Sequence, residues 1–227
     1  DLHLSRGLGD VYKRQDNILS IKDEISDEVK LVAVSKTRSI DEIKEAYNSN
    51  QKIFGENRVQ EIVEKHQLLP DDIEWHMIGH LQKNKVKYIS NFITLIHSLD
   101  RISLAAEIDK CAKKSNRKID CLIQLKISSE ETKFGLDTSL LEDFYSDIQK
   151  YENINIVGLM GMASFTENQQ KISDEFSQIK ELYDIMNLKN SKIKNLSIGM
   201  SDDYRLAIEK GSNMIRVGSK IFGKRSY

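Results

Sequence analysis

The sequence predicts an α/β fold, a single (β/α)8 barrel of the TIM type with an N-terminal helix, and three observations carry that reading. Short apolar runs rich in β-branched residues alternate eight times with segments of helical period. No long linker, internal repeat or low-complexity stretch interrupts them, so about 200 residues hold eight strand–helix units. An open doubly wound sheet is the alternative, but it usually has fewer strands and a glycine-rich turn after the first, and that turn is missing here.

The elements follow in order. Residues 1–15, DLHLSRGLGDVYKRQ, show no clear period and are expected to be a tail outside the fold, which leaves 16–227 as the barrel domain. Ile18, Leu19, Ile21 and Ile25 mark one face of a helix over about 16–27. The first strand, 31–34, is apolar throughout, as a strand buried on both faces should be, and stops at Ser35-Lys36-Thr37. Ser39 and Glu42 form a capping-box pattern, and Ile43 and Ala46 give that helix its apolar side. Strand two is read at 52–57 and its helix at 58–69, where Pro70 ends it. Strands at 73–79, 94–99, 121–127, 154–162, 195–200 and 214–217 follow. The intervening helices start near Asn84 or cover 102–114, 139–151, 167–186 and 202–210.

Composition narrows the functional class. The net charge is −1 with 30% charged residues, so nothing global points to nucleic acid or to an acidic membrane surface. Lysine clusters at 83–87 and 110–118 lie on helical stretches beside acidic neighbours and read as solvated faces. Cys111 and Cys121 have no further pair to complete a metal site and read as buried thiols of a reducing compartment. No apolar run approaches the ~18 residues of a bilayer span, and the N-terminus lacks a secretory apolar core, so a soluble cytoplasmic protein is expected.

In a barrel, chemistry sits at the carboxyl ends of the strands. The unusual polar residues fall there repeatedly: Lys36 after the first strand, Glu56 and Asn57 at the second, His76 in the third, Ser197 to Asp203 at the seventh, and Arg216, Gly218 and Ser219 at the eighth. Closure would bring Arg216 beside Lys36, 180 residues away in sequence. A partly desolvated lysine next to another cation is suited to nucleophilic attack on a carbonyl. Ser201 is placed to cap the next helix, and Gly218 and Ser219 offer backbone amides where this fold commonly holds phosphate. Each residue also has an ordinary reading: a snorkelling lysine, a helix cap, a turn glycine, a surface ion-pair partner.

The segments LVAVSKT, FGENRVQE, IEWHMIGHLQKNK, IHSLDR, the loop ending KFG, GLM and LSIGMSDDYRLAIEKGSNMIRVGSKIFGKR closely resemble the pyridoxal phosphate homeostasis proteins, over about residues 16–225. The resemblance implies a barrel related to the N-terminal domain of alanine racemase that holds pyridoxal 5′-phosphate as a Schiff base on Lys36. It further implies Arg216 facing the pyridine nitrogen, Ser201, Gly218 and Ser219 on the phosphate, and Asn57 beside the ring. Departures are small: Ser219 stands where threonine is more usual, Phe134 lies in the Lys-x-Gly loop, and Gly161 follows GLM.

The function implied is that of a cofactor holder serving intracellular homeostasis, acting as a monomer and passing pyridoxal phosphate to apoenzymes. A low-activity amino-acid racemase is the alternative reading. It needs a second base, which the racemases resembled take from a tyrosine of a further domain, whereas this chain ends at Tyr227; Tyr88, Tyr183 and Tyr204 read as helix residues. A cofactor-free aldolase would use Lys36 but leave Arg216 unexplained. His76 and His80 flank Gly79 at a strand end, so the two need not converge on a metal, and His76 is expected in the barrel mouth with Trp75 on the other side. Lys133 is a candidate second amine at the same mouth. Met160, Met162 and Met200 read as barrel filling.

Overall fold

The computed structural model describes residues 2–130 and 133–223, and side chains from residue 13 onward. Its strands are β1 (Lys30–Val34), β2 (Ile53–Glu56), β3 (Glu74–Met77), β4 (Leu95–Leu99), β5 (Ile119–Lys126), β6 (Leu136–Asp137), β7 (Ile154–Gly161), β8 (Asn195–Ser197) and β9 (Met214–Val217). β1 pairs in parallel with both β2 and β9, and the β4–β5 pairing closes the ring, so eight strands form a barrel. The ninth, β6, is a two-residue addition beside the end of β5, too short to show a strand pattern in sequence.

The helices are α1 (Leu2–Glu24), α2 (Ile40–Asn48), α3 (Val59–Leu68), α4 (Ile102–Lys114), α5 (Leu141–Ile148), α6 (Gln169–Lys189), α7 (Tyr204–Glu209) and α8 (Ser219–Phe222). The capping box that opens α2 is complete: Ser39 Oγ accepts from the Glu42 amide at 3.2 Å, and Glu42 Oε2 accepts from the Ser39 amide at 2.9 Å. The helix expected near Asn84 is instead a 3-10 turn, Lys83–Tyr88, whose buried face is little more than Val86. The expected tail boundary at residue 15 falls inside α1, where Arg14 pairs with Glu45 and, at 3.9 Å, with Glu42 of α2. The rest of that tail call rests on Asp1 and on side chains that lie outside the described residues, as do residues 131, 132 and 224–227.

Alternation along each strand sorts the core. Leu31, Ala33, Phe54, Trp75 and Ile96 point outward into the apolar layer under the helices. Val32, Leu95, Leu122, Met160 and Met214 form a separate cluster that fills the barrel lumen. Buried among them are four polar residues, His76, His97, Ser197 and Arg216; the register sets Arg216 beside Val32, His76 beside Leu95 and Ser197 beside Met160. The register Val32↔Arg216 sets Lys36 four residues further along its strand than the arginine's partner. The two cations therefore share the mouth at different depths rather than side by side.

Candidate functional site

At the carboxyl ends of β1, β2, β8 and β9 the structure opens a cavity of about 260 Å³. Lys36, Asn57, Ser201, Arg216, Gly218 and Ser219, drawn together from sequence positions up to 183 apart, all line it. Val34, Ile78 and Met162 supply apolar wall.

Lys36 is held by its neighbours. Ser35 Oγ donates to Glu56 Oε1 at 2.6 Å, and Lys65 Nζ, from α3, donates to both Ser35 O at 2.8 Å and Glu56 Oε1 at 2.7 Å. On the other side Thr37 sits in the left-handed region, φ 64°, which costs a β-branched residue about 1–2 kcal/mol. Its amide donates to Glu61 Oε2 at 2.8 Å, and Glu61 also takes Lys65 at 3.1 Å. One buried ion cluster thus fixes the backbone on both sides of the lysine. Burial raises the Glu56 carboxyl, and Lys65 opposes that shift.

Asn57 owes its place to a close approach. A Cβ on Gly79 would stand 2.4 Å from the Asn57 carbonyl oxygen, so only glycine lets the end of β3 pass there.

Arg216 is buried and committed to the barrel: Nη1 donates to Ser197 O at 2.7 Å and Ser197 Oγ at 2.6 Å, and Nη2 to Gly161 O at 3.0 Å. Burial lowers its pKa to about 10, against the pull of Asp203, so it remains a cation at neutral pH. Ser201 does not cap α7 as expected. Its hydroxyl accepts instead from the Gly218 amide at 3.2 Å, while Asp203 closes the turn by accepting from the Met200 amide at 2.6 Å. The reason is local: Gly199, φ +95°, turns the chain so that residues 200–203 form a turn of their own before the helix.

Among the lining residues, Arg38 and Phe165 were not expected. Arg38 is two positions beyond Lys36 and reaches the wall while paired with Glu42 and with Gly223 O. Phe165 stands at the rim, nearly fully exposed, and Asp202 contributes a carboxylate. Met200 is partly exposed and lines the cavity, whereas Met160 is barrel filling as read. His97 and Ser197 carried a period-2 signal with Leu95 and Asn195 that marks them as lumen-facing. His76 lies below the mouth, bonded to His97, and His80 stacks on Phe134 with ring centres 4.0 Å apart, so the pair does not converge. Lys133 pairs with Glu130 at 3.3 Å and donates to Ala163 O, beside the rim rather than in the lining. Cys111 and Cys121 are buried free thiols.

The lining carries Lys36, Arg38 and Arg216 against Asp202, together with the Ser201 and Ser219 hydroxyls and an apolar wall. That set suits a small anion with a flat ring: charge-assisted donors for the anion, an amine and a guanidinium over the ring edge, hydrocarbon on its face.

The profile of the alanine racemase N-terminal domain family matches residues 10–226. A pyridoxal phosphate homeostasis protein of Aquifex aeolicus is 42% identical over 200 residues, 87% of this chain and 88% of its own. The protein of that name in Pasteurella multocida is 37% identical over 204 residues, 88% of each chain. The chain belongs to this family. PipY of Synechococcus elongatus PCC7942 superposes with a TM-score of 0.84 at 30% identity in its form with PLP bound, covering 92% of this chain and 100% of that one. Alanine racemase of Clostridium difficile 630 shares the family's barrel at 16% identity, TM-score 0.74, over 97% of this chain and 61% of its own. That likeness is one of fold.

Proposed function

We propose that this chain is a pyridoxal phosphate homeostasis protein that holds pyridoxal 5′-phosphate in the cavity, with Lys36 as the residue of covalent attachment. The observation that carries the reading is the convergence of Lys36, Asn57, Arg216 and the Ser201/Gly218/Ser219 donors on one cavity of small-molecule size. Bound there, the cofactor supplies a reactive aldehyde and an electron-accepting ring. Lys36 Nζ is the nucleophile for the aldehyde carbon. The Ser201 oxygen already accepts from Gly218, which leaves its O–H to donate to a phosphate oxygen, and Ser219 adds its own hydroxyl. Asn57 flanks the ring. Arg216, a cation at neutral pH, would disfavour a second positive charge on the ring nitrogen of a cofactor held there and so weaken the ring as an electron sink.

A holder rather than a racemase is favoured by what the cavity contains: among the described residues no tyrosine lines it, and Tyr204 gives its hydroxyl to Glu24. A monomeric state belongs to the same reading. Delivery to apoenzymes is supported by a mouth open enough that Phe165 stands in solvent. Among the described residues no helix is long and apolar enough to cross a membrane; a cytoplasmic location agrees with the two free thiols.

The test is equilibrium titration of purified protein with pyridoxal phosphate, followed by absorbance, beside Arg216→Gln, with alanine and serine racemisation assayed on the loaded protein. One cofactor per wild-type chain, weakened in the variant, without racemisation, is expected. Equal binding by both, or steady racemisation, contradicts the reading.

A further inference from the structure

The interior of the barrel holds a chain of polar side chains that cavity binding alone does not require. Arg216 on β9 donates to Ser197 Oγ on β8 at 2.6 Å. Ser197 Oγ lies 3.1 Å from His97 Nδ1 on β4, and His97 Nε2 lies 3.0 Å from His76 Nδ1 on β3. All four residues are buried, and the chain crosses the lumen from one wall to the opposite one, with Arg216 at the cavity lining.

The chain starts at a pure donor. A guanidinium has no acceptor, so the Ser197 oxygen accepts from Arg216, and directing the Ser197 hydroxyl proton to His97 Nδ1 gives an arrangement in which every link has one donor and one acceptor. His97 then carries its proton on Nε2 and donates to His76 Nδ1, which leaves the His76 proton on its own Nε2. Protonating His76 would set its Nδ1–H against His97 Nε2–H, and protonating His97 would set its Nδ1–H against the Ser197 hydroxyl proton. The charged groups acting on the pair are Lys30 on β1 and Arg216, both cations, and burial disfavours the imidazolium further.

We infer that His97 and His76 are positioning residues for the cofactor site: His76 holds His97 in the tautomer that accepts the Ser197 proton, which turns the Ser197 lone pairs toward Arg216, so that the guanidinium is fixed in place at the cavity wall. Three of its N–H groups are spent on Ser197 O, Ser197 Oγ and Gly161 O, and the remainder of its five donors is left for the cavity it lines. An arginine without that anchor would sample other rotamers and present its charge less steadily. The inference rests on the proposed cofactor reading for its functional consequence and on the apoprotein alone for its proton arrangement.

Long-range 15N spectra of the imidazoles in the apoprotein decide the arrangement. Both histidines are expected to be neutral with the proton on Nε2 and not to titrate between pH 5 and 8. Ser197→Ala, which removes the hydroxyl and adds no bulk, is expected to release the His97 tautomer and to weaken pyridoxal phosphate binding roughly tenfold, the loss of one charge-assisted hydrogen bond at the anchor. Ser197→Thr, which keeps the hydroxyl, should restore both. A proton on Nδ1 of either ring in wild type, titration near the ordinary histidine pKa, or wild-type affinity in Ser197→Ala would overturn the inference. Failure of wild type to bind the cofactor would overturn the function proposed above and leave the 15N result standing.

Discussion

The Gly218 amide donates to Ser201 Oγ at 3.2 Å, and this bond ties the loop after β8 to the loop after β9. Among the described residues the two loops supply every hydroxyl in the cavity lining, so their separation sets the size of the anion site. Ser201→Ala removes the tie and one hydroxyl donor together. With hydrogen bonds to charged groups worth ~1.5–3 kcal/mol, pyridoxal phosphate affinity should fall roughly 10- to 100-fold, while pyridoxal, which has no phosphate, should bind as weakly as to wild type. Parallel titrations with the two ligands check this; an equal loss for both would place Ser201 away from the phosphate.

The Lys65–Glu56 pair behind Lys36 is buried on both sides, at 2.7 Å. Removing one partner strands the other charge, and Glu56 Oε2 already lacks a hydrogen bond. Lys65→Met should therefore cost about 3–5 kcal/mol in urea unfolding, and adding Glu56→Gln should recover a large part of it. If the double variant is no more stable than the single one, the cluster is not an electrostatic pair in the sense argued.

How much of this was legible in the sequence depends on the distance over which each signal acts. Strand and helix periodicity, the Ser39–Glu42 cap and the stop at Pro70 are local, and the structure follows them closely. The eight-unit count gives closure, and closure brings Lys36, Arg216, Ser201 and Gly218 to one mouth. What sequence could not give is register and direction. The side-by-side cations became a staggered pair because Arg216 is opposite Val32, and Ser201 turned from a cap into an acceptor for Gly218 because Gly199 redirects the turn. The His76–His97–Ser197–Arg216 chain joins strands on opposite walls, and no local pattern reports a contact across a lumen.

Burial holds His76 down to about 3, below the ordinary 6.5 of a histidine in the unfolded chain. Between those values the unfolded state binds the proton that the folded state refuses, so stability is full above about pH 6.5 and is lost as pH falls toward 3. From pH 7 to pH 5 the loss attributable to His76 is roughly 2 kcal/mol. Urea midpoints at the two pH values should fall less in His76→Phe than in wild type by about that amount; equal slopes would mean that His76 titrates normally in the fold.

The central claim is that Lys36 carries the cofactor. The direct measurement is borohydride reduction of the protein loaded with pyridoxal phosphate, followed by intact mass and peptide mapping, with Lys36→Ala alongside. One reduced adduct per chain, mapped to Lys36 and absent from the variant, is the result expected. An adduct on another lysine, or equal labelling of both proteins, would contradict the account and return Lys36 to the role of an ordinary residue at a strand end.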